Sequence, residues 1–362
     1  MDYLLEEVAI ATVGDVMDLV DENRIFVKQG LEMLERTSNP GLRALINATG
    51  LSGQTITAYH VGFVLGPCLN ASGRLDTAKR ALSLLRAQNM READILAGDL
   101  KALNDSRKEM TEKAVMKAVD MVENTEVGKD KVLVIYLPDC HESLAGIVAG
   151  RIRERFYKPT YVLTDSEDGA KGSGRSIDSY HMYEEMNKCS YLFTKFGGHK
   201  LAAGLSLDRE NVEAFRKEAN ALCSLTEEDL YEKVSIDMQL PFCCITENFV
   251  EDLSLLEPFG KSNTKPVFAE RNVEILSAKR IGKNQNMLKM LVKDSAGTAI
   301  DALYFGDAEK FLNAVSEKYG IIQTQNLFRG KGNGVRMSFT YYPGINEYMG
   351  NKTPQIIITH FQ

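Results

Sequence analysis

The spacing of apolar residues changes along the chain, and the changes divide it into four parts. Residues 1–75 mix helical periodicity with glycine turns such as "NATGLSGQTI", and the opening "MDYLLEEVAIATVGDVMDLV" is already amphipathic. From Asp76 to Glu126 there is no proline and a single glycine. There Leu82, Leu85, Leu96, Leu100, Leu103 and Val115 recur at helical spacing, which predicts one or two long helices acting as a connector over residues 76–128. Residues 129–226 alternate strand and helix signals. "GKDKVLVIYLP" reads as a buried strand, "ESLAGIVAGRIRERFYKPTYVLT" as a helix followed by a second strand, "AKGSGRSI" as a strand edge, "GLSLDREN" as a later strand, and Val212 to Cys223 as a closing helix. Strand, helix and strand in succession predict an α/β domain.

From Tyr231 onward the pattern shortens. "VSIDMQL", "PVFAERNVEILSAKRIG", "NMLKMLVKD", "TAIDALYFG" and "GIIQTQNLF" read as strands separated by turn signals, with one helix, "DAEKFLNAVSEKY", among them. About five strands and an inserted helix fit a small all-β Greek-key barrel of the OB type over residues 230–362, with a β-sandwich as the competing arrangement. Phe268, Tyr304 and Phe305 lie on these strands, either as core residues or as a base-stacking platform.

Composition narrows the function without naming it. The 362 residues hold 44% hydrophobic and 26% charged residues, the balance of a globular protein. The net charge of -7 excludes a uniformly basic surface, so any nucleic-acid contact is local. Residues 230–362 carry 15 Lys and Arg against 14 Asp and Glu, a net of +1 against -8 for the rest. Six scattered cysteines have neither zinc-ligand spacing nor a disulfide framework, and Cys243 and Cys244 are adjacent. With no long apolar span and no leader-like start, the expectation is a cytoplasmic protein with no membrane partner.

Four clusters carry candidate chemistry. In "ATVGDVMDLVDENR", Asp15 follows a glycine at the end of an apolar run; it is either a hard oxygen ligand for Mg²⁺ or Mn²⁺ or a capping aspartate. In "GPCLNASGR", Pro67, Asn70 and Gly73 predict a compact turn that presents Arg74 to a phosphate or carboxylate. In "KGSGRS", Gly172 and Gly174 bracket Ser173, and Lys171 and Arg175 flank them, a bare backbone suited to an anion. In "TKFGGHKLAAG", Gly197 and Gly198 allow close approach of a ligand, and His199 can donate to a phosphate oxygen or move a proton. His141, in "PDCHESLAGIVAGR", follows the first predicted strand. Together these anion-binding groups predict a phosphate-ester ligand.

Taken in order, "VAIATVGDVMDL", "GPCLNASGR", "HESLAGIVAGR", "KGSGRS" and "FGGHKLAAG" resemble the later motifs of the RecJ family of single-strand-specific DNA exonucleases, within the DHH phosphoesterase superfamily. "LLEPFGKSNTKPVF" resembles the family's Pro-Phe-Gly segment leading into its OB-fold. The resemblance implies the C-terminal part of a DHH catalytic domain over residues 1–75, a helical connector over 76–128, a DHH-associated domain over 129–226 and an OB-fold over 230–362. It implies a 5′-to-3′ exonuclease acting in DNA repair and recombination, releasing mononucleotides with two Mn²⁺ or Mg²⁺ ions. By motif match Asp15 would be a metal ligand. Asn70 and Arg74 would line the catalytic edge. His141, Ser173, Gly174, Arg175, Gly197, Gly198 and His199 would bind substrate. The family's Asp-x-Asp and Asp-His-His motifs are missing from this sequence. The expectation is a fragment, or one part of a split protein, inactive by itself and completed by an N-terminal DHH segment, with DNA-repair proteins as further partners. A non-catalytic single-stranded-DNA or partner-binding protein, and a DHH phosphoesterase for short oligonucleotides or cyclic dinucleotides, are the alternatives; the predicted barrel argues against the latter.

Overall fold

A computed structural model describes residues 4–75 and 77–362. Met1–Tyr3, which open the first predicted segment, and Asp76, which opens the predicted connector, lie outside the described residues. The chain divides into two compact units, Met1–Leu31 with Val234–Gln362, and Glu32–Lys233.

In the first unit, α1 (Leu5–Gly14) leads through a short loop into α2 (Asp21–Leu34). The loop and the start of α2 are pinned to residues 255–261. The Leu19 N–H donates to the Lys261 carbonyl at 2.8 Å, and Arg24 donates to the carbonyls of Leu255 and Glu257 at 3.0 Å each. Leu19 lies over Gly260 so closely that a Cβ there would come within 2.6 Å of its Cδ1. A side chain at Gly260 would have to push Leu19 aside.

The second unit begins with α3 (Pro40–Ala48), whose N-cap Asn39 accepts from the N–H groups of Gly41 and Leu42 with proline at the first turn. Next come α4 (Ala58–His60), a π-turn at Val61–Leu65 and α5 (Gly66–Leu75). "GPCLNASGR" is thus helical rather than a compact turn. Pro67 cannot donate to the helical ladder, but the wide π-turn just before it absorbs the missing bond, and the chain continues as helix. The predicted connector forms α6 (Lys79–Leu85) and the 35-residue α7 (Met90–Asn124), N-capped by Asn89. The buried stripe of α7 is built largely from Ala93, Ala97, Ala114 and Ala118 with Leu100. These small side chains let α3, α5 and later α8 pack closely against it.

The α/β sheet has the order β1-β2-β3-β5-β4. β1 (Leu133–Tyr136) and β2 (Thr160–Ser166) run parallel, joined through α8 (Ala145–Phe156). β3 (Gly169–Arg175), β4 (Lys195–Gly198) and β5 (Ala202–Leu207) pair antiparallel. α9 (Met182–Lys188) and α10 (Val212–Ala221) complete the domain. β1 is buried on both faces: Val132 and Val134 face one core with Tyr161 and Phe215, Leu133 and Ile135 the other with Val148 and Ile152 of α8. β1 is also an edge strand, and there Asn220 takes the place of a neighbour. Its Oδ1 accepts from the Val132 N–H and its Nδ2 donates to the Val132 carbonyl, both at 2.9 Å. "AKGSGRSI", read from the sequence as a strand edge, forms β3 with its glycines in the interior of the sheet. Those glycines serve packing: a Cβ on Gly172 would come 2.6 Å from Leu163 Cδ2, and one on Gly174 would come 2.4 Å from Met182 Sδ.

The remainder of the first unit holds β6 (Met238–Gln239), α11 (Glu247–Ser254), β7 (Phe268–Ile281), β8 (Met287–Lys293), β9 (Ala299–Tyr304), α12 (Ala308–Tyr319), α13 (Ile321–Arg329), β10 (Arg336–Tyr348) and β11 (Asn351–Phe361). β7, β8, β9, β11 and β10 pair in turn, and β10 pairs back onto β7, so five strands close on themselves as in an OB-fold. The sandwich alternative is excluded by this closure. "GIIQTQNLF" forms helix α13, not a strand; Gly320 at φ +91° restarts a helix directly after α12. "VSIDMQL" contributes only the two paired residues of β6.

Candidate phosphate-binding site

One face of β3 carries Lys171, Ser173 and Arg175, because alternate residues of a strand share a face. Ser173 pairs with Gly204 on β5, and Gly204 with Gly197 on β4. A Cβ on either glycine would meet no atom within 4 Å. Beyond Ser173 the sheet therefore offers two adjacent strands of bare peptide beside open space. Gly198 is constrained differently: a Cβ there would come 2.4 Å from the Ala202 carbonyl oxygen, so the turn that carries His199 needs glycine at this position.

Arg175 is half-buried and its Nη1 donates to Gly174 O at 2.7 Å and Ser173 Oγ at 3.0 Å. Its guanidinium lies against the first turn of α8, where a Cβ on Gly146 would come 2.8 Å from Nη2. No side chain caps the start of α8. An arginine fork and a serine hydroxyl thus stand side by side at the first turn of α8, a combination that favours an anion. Arg74, exposed on α5, reaches the same region: its Nη1 donates to the Ser143 carbonyl at 3.0 Å. Ser143 belongs to the 3-10 turn Glu142–Leu144, of which His141 is the N-cap. His141 Nδ1 accepts the Ser143 N–H at 3.3 Å and lies 2.8 Å from Ser143 Oγ. His199 Nδ1 accepts the Leu201 N–H at 3.3 Å. With Nδ1 as acceptor, each neutral imidazole carries its proton on Nε2.

Several arginines gather here. Burial first, then repulsion from Arg74 and Arg153, lowers the proton affinity of Arg175. Among the described residues neither Arg74 nor Arg175 has a carboxylate partner, whereas Lys171 is paired with Glu142. Asn70 is exposed one turn before Arg74 on α5. The structure therefore brings Arg74, His141, Ser173, Gly174 and Arg175 into one neighbourhood and places Gly197, Gly198 and His199 on the same sheet. Sequence reasoning missed Ser143, which joins Arg74 to His141, and Gly204, which extends the bare floor; both lie inside motifs already singled out, "HES" and "LAAG".

Asp15 lies in the other unit, exposed at the C-terminal end of α1, its N–H bonded to Ala11 O at 2.9 Å. Among the described residues no group of three or more His, Cys, Asp or Glu could hold a metal ion. A two-metal centre does not fit the residues described here, and no step is derived through one. Of the candidate stacking residues in the barrel, Phe268 and Tyr304 are buried in its core and Phe305 is 53% exposed. No helix among the described residues is long and apolar enough to cross a membrane.

Domain matches agree with this layout. A family model for the DHHA1 domain matches residues 129–225, and one for the RecJ OB domain matches residues 236–360. The single-stranded-DNA-specific exonuclease RecJ of Bacillus subtilis (strain 168) is 34% identical over 99% of this chain and 44% of that protein. Its namesake from Escherichia coli (strain K12) is 33% identical over 98% of this chain and 60% of that protein. The crystal structure of RecJ from Thermus thermophilus in complex with Mg²⁺ superposes with a TM-score of 0.80 at 26% identity, covering 99% of this chain and 52% of that one; the Mn²⁺ complex gives the same score. Fold and site thus define a DHHA1 domain joined to an OB domain. The chain is similar to RecJ exonucleases along nearly its whole length, and it spans about half the length of the curated relatives it matches.

Proposed function

We propose that this chain supplies the substrate-gripping part of a RecJ-type, single-stranded-DNA-specific 5′-to-3′ exonuclease of DNA repair and recombination. Arg74, Ser173 and Arg175 grip the terminal phosphate of the strand. The bare floor at Gly197 and Gly204 receives the nucleotide, and His141 and His199 donate from Nε2 to phosphate oxygens. The OB barrel guides the rest of the strand. The observation that carries this reading is the meeting of Arg74 and Arg175 without a carboxylate partner beside a glycine floor. Hydrolysis itself would use divalent ions, as the Mg²⁺ and Mn²⁺ complexes of the Thermus relative suggest. Asp15 would give one ligand, and the rest would come from a DHH segment outside this sequence. A purely strand-binding role is the second reading, favoured by the lack of a three-ligand group among the described residues.

Two measurements test the proposal. The chain should bind a 5′-phosphorylated oligothymidylate more tightly than its 5′-hydroxyl counterpart; equal affinities would remove the phosphate grip. With Mn²⁺ it should release no mononucleotides until a DHH segment is supplied, and then Asp15→Ala should abolish release. Metal-dependent release by the chain alone would show that it carries its own metal centre.

A further inference from the structure

Arg107 lies outside the grip described above, yet it is held as a ligand-binding residue would be. It is half-buried on α7, and its Nε and Nη2 both donate to Asn104 Oδ1, at 3.1 and 2.9 Å. Asn104 is 2% exposed and is fixed in turn by donating from Nδ2 to Cys68 Sγ on α5 at 3.3 Å. One edge of the guanidinium is therefore locked, while among the described residues Nη1 has no acceptor and no carboxylate pairs with the group. Partly burying a guanidinium against a single amide oxygen is costly unless something else supplies the counter-charge.

The nearest charges have the same sign. Burial, then repulsion from Arg74 and from Arg151, lowers the proton affinity of Arg107. Arg151 is exposed on α8 and forms no ion pair among the described residues. α7 packs against both α5 and α8, so three helices bring Arg74, Arg107 and Arg151 to one neighbourhood. Arg74 acts on Arg107 and on Arg175, but those two do not act on each other. Arg74, on the helix that packs against α7, is thus the charge that Arg107 and Arg175 have in common.

We propose that Arg107, with Arg151 beside it, binds a second phosphate of the strand, next to the one held by Arg74 and Arg175, so that the site grips two consecutive phosphates. This rests on the phosphate grip proposed above. It assigns to α7 a binding role that its even helical pattern conceals.

Titration calorimetry with two ligands, 5′-dTMP and the 5′-phosphorylated dinucleotide pTpT, tests it. Arg107→Gln should weaken pTpT about tenfold, the usual worth of a hydrogen bond to a charged group, and leave dTMP within about twofold. The slope of log affinity against log salt for pTpT should shrink by ~0.7 in Arg107→Gln, and be retained in Arg107→Lys. Circular dichroism checks folding, and Arg151→Gln, which breaks no buried bond, should act in the same direction if Arg107→Gln does not fold. Arg175→Gln should weaken both ligands alike. If Arg107→Gln and Arg151→Gln bind pTpT as the parent does while Arg175→Gln does not, the second phosphate position is overturned and the grip stands. Equal loss of dTMP and pTpT in Arg107→Gln also overturns it. If the parent binds neither ligand, or Arg175→Gln changes nothing, the proposed function fails and this inference fails with it.

Discussion

The arginines of the candidate phosphate-binding site are held differently from the paired basic side chains of the barrel. Around that site Arg74 of α5 and Arg175 of β3 bond only to carbonyls and a hydroxyl, and Arg107 of α7 only to an amide, while elsewhere in the sheet domain Lys171, Arg209 and Arg216 are paired with Glu142, Asp165 and Asp130. In the barrel Arg280 pairs with Glu309 at 2.7 Å, Lys289 with Asp301 at 2.5 Å, Lys293 and Arg336 both with Glu274 at 3.1 and 3.3 Å, and Lys352 with Glu251 at 3.8 Å. Paired charges on a surface contribute little to stability and leave little net field. Unpaired arginines held in place by neutral partners leave a strong local field. Under the proposed function, that difference gives a chain of net charge -7 a local seat for an anion at the candidate site and leaves diffuse contact along a strand to the barrel.

The sharpest way to break this contrast is Arg175→Gln. It should lower affinity for a 5′-phosphorylated oligonucleotide by about 10- to 100-fold and abolish the preference over the 5′-hydroxyl form, read by fluorescence anisotropy. A retained preference would mean that the grip lies elsewhere. The glycines separate packing from binding. Gly174→Ala forces a methyl into Met182 and Tyr161 and should cost about 1–3 kcal/mol in denaturant unfolding. Gly197→Ala, which faces open space, should leave stability nearly unchanged and weaken the phosphorylated ligand. The opposite ranking would reverse the roles given to the two positions. The smallest effect is expected in the barrel. Glu274→Gln frees Lys293 and Arg336 together and should raise low-salt affinity for single-stranded DNA by roughly threefold, with a steeper salt dependence. An unchanged affinity would place the path of the strand away from that face.

Much of this was legible in the sequence because the signals were local. "KVLVIYLP" announces a strand buried on both sides, and the closely spaced glycines of "KGSGRS" and "FGGHKLAAG" mark places where backbone is approached closely. Other features depend on contacts between distant residues. Whether Gly174 marks an edge or an interior strand depends on Met182 and Tyr161 packing above it. The helix through Pro67 depends on a π-turn that no residue pattern announces. α13 resembled a strand because its apolar residues cluster at both ends; Ile321 and Ile322 are 67% and 70% exposed, so burial did not shape the pattern. Arg107 could not be singled out, since its significance comes from Asn104, Cys68 and Arg74.

The amide of Asn220 bears on how the border of the sheet is closed at β1. An open sheet has two borders, and an unoccupied border is a template on which a second chain can add a strand. At β1 a side chain fills one rung by matching both the donor and the acceptor of Val132, with no second strand present. The strand itself, "LVIY", has strong β-propensity, and Leu133, Val134 and Ile135 are buried, so this border offers little backbone to another chain. One asparagine thus completes the border of the sheet, a duty separate from anything the domain does to a ligand.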